Sequence, residues 1–430
     1  MKDINSSRRA PFGSNPEVGE AGQATQLRIL AAANEAFAEN GYARTSVEAI
    51  TDLAGCSRPT FYQYFSGKED LHRRLAARFG AELADLLDRM GPITGDQEGR
   101  DELCQWLDGL TAVLARYQAV ANNFAAAVRT DDQMVTGSTR LSAAYRNRLL
   151  ELIIDAPETD VSLDVLAAAI NAVAYGASLY RSRVGDVSEA RLSAALADTV
   201  HRALFGAIDN VNVGQQVEGT TAKHTSKHQP AEPDDPDGRH GRGLATRARL
   251  MDAATTAFGT LGFDGVRVDD IASEAGVSHG TFYRYFTDKN AVFSAHADAA
   301  TEETVELLSQ WPLTEGAETQ WAKEYFDLFG RLGGVIACLP EARATGLSCA
   351  DRSRRETALA LQRGLEARGF GDTDADIVIG FALLENLPAT AFRSLGITVD
   401  DAIGATAVIL RQGVFGGTAG DAASSRSGSA

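Results

Sequence analysis

At 430 residues, with 44% hydrophobic and 23% charged residues, the chain exceeds one ordinary core and has the composition of a globular protein with at least two domains. A formal net charge of −17 excludes a uniformly basic nucleic-acid binder, and no run of about 18 apolar residues suggests a membrane span. Four cysteines, Cys56, Cys104, Cys338 and Cys349, are scattered without CxxC or Cys/His spacing, so they read as small buried hydrophobes and no metal is expected.

Residues 1–23 form a polar arm without an apolar signal core, which gives a cytoplasmic expectation. A helical segment follows, "QLRILAAANEAFAENGY", with Ile29, Leu30, Ala33, Ala36 and Phe37 on one stripe and Gly41 as its stop. In "TSVEAITDLAG", Thr45 and Glu48 have the form of a capping box. Val47, Ile50 and Ala54 make the buried side of a short helix that Gly55 ends. Ser57 can cap a third helix, so two short helices meet across a glycine turn, the layout of a helix-turn-helix. The third helix carries "TFYQYF", Thr60 to Phe65, in which Phe61 and Phe65 are four apart and face inward together. Thr60, Tyr62, Gln63 and Tyr64 are left for other faces, where hydroxyls can donate to phosphate oxygens and methyls can touch thymine. Lys68 opens a fourth helix, a place suited to phosphate.

The chain repeats this design. Residues 24–71 and 245–292 align without gaps at 19 of 48 positions, and "TFYRYF" from Thr281 to Phe286 echoes the first hexapeptide. Thr281, Tyr283, Arg284, Tyr285 and Lys289 form the matching set. Val266 stands where the first copy has Thr45, so the second short helix is expected to start less firmly unless its cap has shifted. Charge follows the repeat: residues 24–75 are balanced and 239–293 carry +1, while 76–238 carry −10 and 294–430 carry −8. Two near-neutral heads on acidic bodies can still meet a polyanion through the heads.

"SVEAITDLAGCSRPTFYQYFSGKEDL" and "RVDDIASEAGVSHGTFYRYFTDKNAVF" resemble the DNA-binding domains of TetR-family transcriptional regulators. The resemblance covers about 48 residues of each copy. It implies that Tyr62, Gln63, Tyr64 and Lys68, with Tyr283, Arg284, Tyr285 and Lys289, lie on the phosphate backbone of double-stranded DNA. Arg58 and Thr60, or His279 and Thr281, would face bases. Pro59 departs from the glycine more usual in the family, which Gly280 retains.

After each head the sequence is Ala/Leu-rich and helical by pattern, and Trp106 and Trp321 open corresponding segments. Each body closes with two helices, about Ser162 to Arg183 and Ser188 to Phe205, then about Thr373 to Leu395 and Thr398 to Phe415. The resemblance implies that these pairs form a four-helix dimer interface and that earlier helices wall a ligand cavity. Trp106, Phe124, Tyr175, Trp321, Tyr325 and Phe329 are aromatics that could enclose a hydrophobic effector, although core packing explains the same residues. Residues 208–243 are polar, rich in Gly, Pro and Asp, and read as a flexible linker. About 35 residues reach at most about 115 Å, enough to join heads seated on half-sites about 34–36 Å apart.

The expected fold is therefore all-α: two TetR-like halves, each a helix-turn-helix head with a helical body, forming an intramolecular pseudo-dimer. Its expected domains are 24–72, 73–207, 244–293 and 294–416, with 417–430 a tail. The expected function is a ligand-responsive repressor whose unequal heads read an imperfect palindrome. An alternative has one head on DNA and the other in protein contacts, and further association between chains stays open. No Walker loop, catalytic triad signature or dinucleotide fingerprint occurs, so neither catalysis nor a cofactor is expected. The acidic pairs Asp131/Asp132, Asp234/Asp235 and Asp269/Asp270 read as solvated surface.

Overall fold

The computed structural model describes residues 20–42, 44–121, 132–184, 187–206, 239–369, 371–391 and 396–416. The expected linker and Phe124 lie outside or almost wholly outside them. The first half contains α1 Glu20–Asn40, α2 Val47–Leu53, α3 Arg58–Tyr64, α4 Lys68–Asp88, α5 Gln97–Arg116, α6 Asp132–Leu152, α7 Leu163–Val184 and α8 Glu189–Phe205. The second contains α9 Arg239–Gly265, α10 Val268–Glu274, α11 His279–Phe282, α12 Lys289–Leu308, α13 Glu318–Ile336, α14 Leu339–Ala344 and α15 Ser348–Glu366. It closes with α16 Thr373–Phe381, a π-helical turn Ala382–Asn386, α17 Leu387–Ala391, α18 Val399–Val408 and a second π-helical segment Ile409–Val414. No strand occurs among the described residues; the only extended pairing there is an isolated bridge between Ile93 and Ile153.

Local chemistry sets the helix boundaries. Ser162, Ser188, Asp372 and Thr398 each accept a backbone N–H from the third residue onward, which satisfies an orphan donor at the start of each closing helix. Positive φ at Gly206 (81°) and Gly416 (61°) marks the end of the last helix in each half, a conformation that glycine adopts without a Cβ penalty.

The two halves touch through their closing helices. α7 packs on α16, the Ala382–Asn386 turn, α17 and α18, while α8 packs on α16 and the Ile409–Val414 segment. Helix Leu163–Arg181 is long and apolar enough to cross a membrane, but 67% of that stretch is buried inside the protein. Its apolar surface is shared between this contact and the helices of its own half, α5, α6 and α8. One hydrophobic core runs from the first head through both bodies, whereas the second head has its own core around Phe258, Phe282 and Phe293.

The heads attach to their bodies differently. A Cβ on Gly334 of α13 would lie 2.3 Å from the Thr255 carbonyl oxygen and 3.2 Å from the Gly259 Cα of α9, so two backbones meet there with no side chain between them. The Glu341 carboxylate accepts from the Phe263 N–H at 2.7 Å, and the Cys338 thiol lies 3.4 Å from the Phe258 carbonyl. In the first half the link at the matching helix is Asn34 Nδ2 donating to the Arg116 carbonyl at 2.6 Å.

Candidate nucleic-acid interface

Each head is built around a glycine turn. Gly55 (φ 60°) and Gly276 (φ 63°) take the left-handed conformation between the two short helices. Ser57 and Ser278 then accept the N–H of Thr60 and Thr281, both at 3.2 Å. Phe61, Phe65 and Phe282 are fully buried and Phe286 nearly so, which anchors the reading helix by its inner face.

Two cap expectations change. The cap of α2 is Ser46, whose hydroxyl accepts from Ala49 N at 3.1 Å. Thr45 is buried instead, donating to the carbonyls of Ala36 and Gly41 at 3.0 and 2.8 Å. Its hydroxyl therefore closes the end of α1. In the second head the cap is the residue matching Ser46, Arg267, whose N–H is accepted by the Asp270 carboxylate at 2.8 Å.

The outward face is shared by both heads. Arg58, Pro59, Tyr62 and Gln63 are exposed, as are His279, Gly280, Tyr283 and Arg284. Tyr62 is 47% and Tyr283 50% exposed. Each ring stands edge-on to the buried phenylalanine before it, at 5.3 Å and 5.6 Å. Large aromatics held in water by a rigid base suit contact with a partner.

The other expected contacts divide. Thr60 and Thr281 are half-buried and share their hydroxyls with the capping serines, 2.9 Å in each head. Tyr64 is buried and Tyr285 half-buried, contrary to the outward placement expected for both. Tyr64 lies three residues beyond Phe61, on the same helical side, and that spacing turns it inward. The lysines also have internal work. Lys68 Nζ donates to the Tyr42 and Thr45 carbonyls at 2.9 and 3.1 Å, and sits 4.4 Å from the centre of the Tyr42 ring. Lys289 repeats this with Phe263 and Val266 at 2.8 and 3.1 Å, 5.0 Å from the Phe263 ring. Two of three ammonium protons are thus committed to fastening the start of the fourth helix to the loop after the first. This latch holds the head's shape, which the phosphate expectation for Lys68 and Lys289 did not foresee.

The heads differ where bases would be read. α3 spans seven residues and α11 four. His279 replaces Arg58; its Nε2 lies 3.2 Å from the Asp269 carboxylate and its ring packs edge-on to Tyr283 at 4.9 Å.

The aromatic candidates in the bodies are mostly core. Trp106 and Phe329 are buried, Tyr175 is half-buried, and Trp321 donates to the Leu307 carbonyl at 2.8 Å while stacking on Tyr325. The cavities lie beside them. One is lined by Thr301, Thr304, Tyr325, Ser353, Thr357 and Glu385, among others. It adjoins a second, which Tyr180 of the first half borders together with Arg343 and Arg354. Of the five named aromatics among the described residues, Tyr325 alone lines either cavity. The polar lining was missed, although hydroxyls at helical spacing inside apolar faces (Thr301/Thr304 and Ser353/Thr357) were visible in the sequence. Burial pushes the Cys56 thiol upward, which disfavours thiolate and agrees with a packing role.

Two glycine-turn helix pairs, each presenting a tyrosine-bearing third helix on an all-α body, define a helix-turn-helix DNA-binding transcriptional regulator. Residues 29–75 and 250–296 both match the family "Bacterial regulatory proteins, tetR family", so the chain carries that family's DNA-binding domain twice. Among its relatives is the HTH-type transcriptional repressor AcnR of Corynebacterium diphtheriae, 29% identical over 171 residues, 39% of this chain and 83% of the relative. The HTH-type transcriptional regulator EthR of Mycobacterium tuberculosis is 32% identical over 92 residues, 20% of this chain and 43% of its own length. A solved structure of the fatty acid degradation regulator FadR from Bacillus halodurans matches 43% of this chain and 96% of its own, at 17% identity and a TM-score of 0.32.

Proposed function

We propose that a single chain acts as an intramolecular pseudo-dimer, placing both heads on two adjacent half-sites of one imperfect palindromic operator, and that it represses transcription until an effector binds. The observation that carries this reading is the matched pair of exposed tyrosines, Tyr62 and Tyr283, on heads whose halves pack through their closing helices. Neighbouring Gln63 and Arg284 extend the phosphate-facing set. Unequal base-facing residues, Arg58 and Pro59 against His279 and Gly280, give the half-sites different preferred bases. The effector site is the pair of small adjoining cavities in the second body. Tyr180 from the first half borders it, so an occupant touches both halves and can bias their arrangement. Its lining combines apolar side chains with hydroxyl and charged groups, which suits a hydrophobic effector that also bears a polar group.

Mobility shift with the protein's own upstream DNA tests the two-headed reading. Tyr62→Phe and Tyr283→Phe each remove one hydroxyl donor to a charged oxygen, so each weakens binding about tenfold, the factor that ~1.4 kcal/mol represents. Equal losses support two readers. A loss in one variant alone points to a single DNA-binding head, a reading that the one-turn α11 leaves room for.

A further inference from the structure

The closing helices of the two halves share one numbering offset. Ser162 and Asp372, Ser188 and Thr398, Phe205 and Phe415, and Gly206 and Gly416 are each 210 positions apart and occupy the same cap or terminus. By that offset Gly176 corresponds to Asn386, and these two residues meet. A Cβ on Gly176 would lie 2.6 Å from the Asn386 Cβ and 2.9 Å from its Cγ. Asn386 Nδ2 donates to the Ala172 carbonyl across the halves at 2.7 Å. The contact is a knob in a hole on the pseudo-twofold axis, with asparagine on one side and nothing on the other.

The flanking contacts are equally one-sided. Arg191 Nε and Nη2 donate to both carboxylate oxygens of Asp372 at 2.7 Å, and Nη2 also reaches Asp374 at 3.1 Å. The residue matching Arg191 in the second half is Asp401. Nearer the chain ends, a Cβ on Gly413 would lie 2.7 Å from the Thr199 carbonyl oxygen, and its match is Ala203.

We infer that this surface is coded for unlike halves: each half accepts the other and refuses a copy of itself. Two second halves would oppose Asn386 to Asn386 in a space that has no room for a second side chain. They would also bring Asp401 against Asp372 and Asp374, three carboxylates with no arginine among them. Two first halves would leave a void between paired Gly176 residues and drive the Ala203 methyl onto the Thr199 carbonyl. The partner this surface fits is therefore the opposite half of the same sequence. The inference rests on the pseudo-dimer reading and adds what enforces it.

A swap in the full chain tests it. Gly176→Asn alone and Asn386→Gly alone each lower the urea midpoint, the first by overfilling the hole and the second by emptying it. Gly176→Asn with Asn386→Gly recovers at least half of the summed loss, because the moved side chain fills the space that the lost one leaves, beside Ala382, the match of Ala172, whose Cβ lies 3.1 Å from a Cβ at position 176. If Gly176→Asn gives no folded protein, Gly176→Ser with Asn386→Gly makes the same comparison. Losses that add in the double variant overturn the code and leave paired halves intact. Two silent single variants overturn both, since the halves then pair elsewhere or not at all.

Discussion

Raising the salt from 50 to 200 mM weakens operator binding by roughly a thousandfold, because counterion release follows the number of phosphates neutralised and about six contacts give a slope near −5. Residues 76–238 and 294–430 carry −10 and −8, so attraction to DNA has to come from the heads. Exposed Arg44 and Arg58 on one head and Arg267 and Arg284 on the other supply cations near the reading helices, and exposed donors such as Tyr62 and Tyr283 add uncharged contacts. Lys68 and Lys289 contribute less than their positions suggested, since both are engaged with carbonyls. Binding measured across a salt series gives the slope. Arg284→Ala, which removes a phosphate-facing cation, reduces it by about one. A flat response would mean that the complex is held by something other than the phosphate backbone.

Asp376→Ala lowers unfolding free energy by about 3–5 kcal/mol, the usual consequence of stranding one member of a buried ion pair. The side chains of Arg368 and Asp376 are 3% and 6% exposed and in direct contact. Arg368 also donates to the Val414 carbonyl, and Arg202 from the other half donates twice to the Gly413 carbonyl at 3.0 and 2.7 Å. Two guanidiniums thus converge on the C-terminal carbonyls of the last helix, where the helix dipole favours positive charge; Asp376 is the carboxylate against Arg368, and Asp198 acts on Arg202. Urea unfolding of the variant measures the loss. Replacing both partners by apolar residues of similar volume, Arg368→Met with Asp376→Leu, restores much of it. Equal instability in the single and double variants would show that the pair is not what stabilises this junction.

Much of the fold was legible because periodicity and punctuation agree. The stripe of Ile29, Leu30, Ala33, Ala36 and Phe37 is buried, the Ser57 cap forms, and three closing helices start at the Ser162, Ser188 and Thr398 that their patterns marked, while the fourth is capped by Asp372, one residue before the Thr373 expected. The duplication made the second head readable from the first. What stayed hidden depends on contacts between distant residues. Thr45 looked like a cap because it precedes Glu48 by three, yet its hydroxyl is claimed by carbonyls of α1. Lys68 had the type and position of a phosphate ligand, and only folding places the Tyr42 and Thr45 carbonyls around its ammonium. Aromatic residues drew attention to Trp321 and Phe329 as cavity walls, whereas tight packing consumed them and left the hydroxyls of Thr301 and Ser353 beside the open space. The meeting of Gly176 with Asn386 needed both halves in place before either residue had a meaning.

The mass of the operator complex in solution tests the two-headed single chain most directly. Light scattering or native mass spectrometry on a duplex carrying both half-sites yields one 45.6 kDa chain per duplex, and a footprint of that complex covers both half-sites. Two chains on the minimal duplex, or one chain protecting a single half-site, would contradict the account.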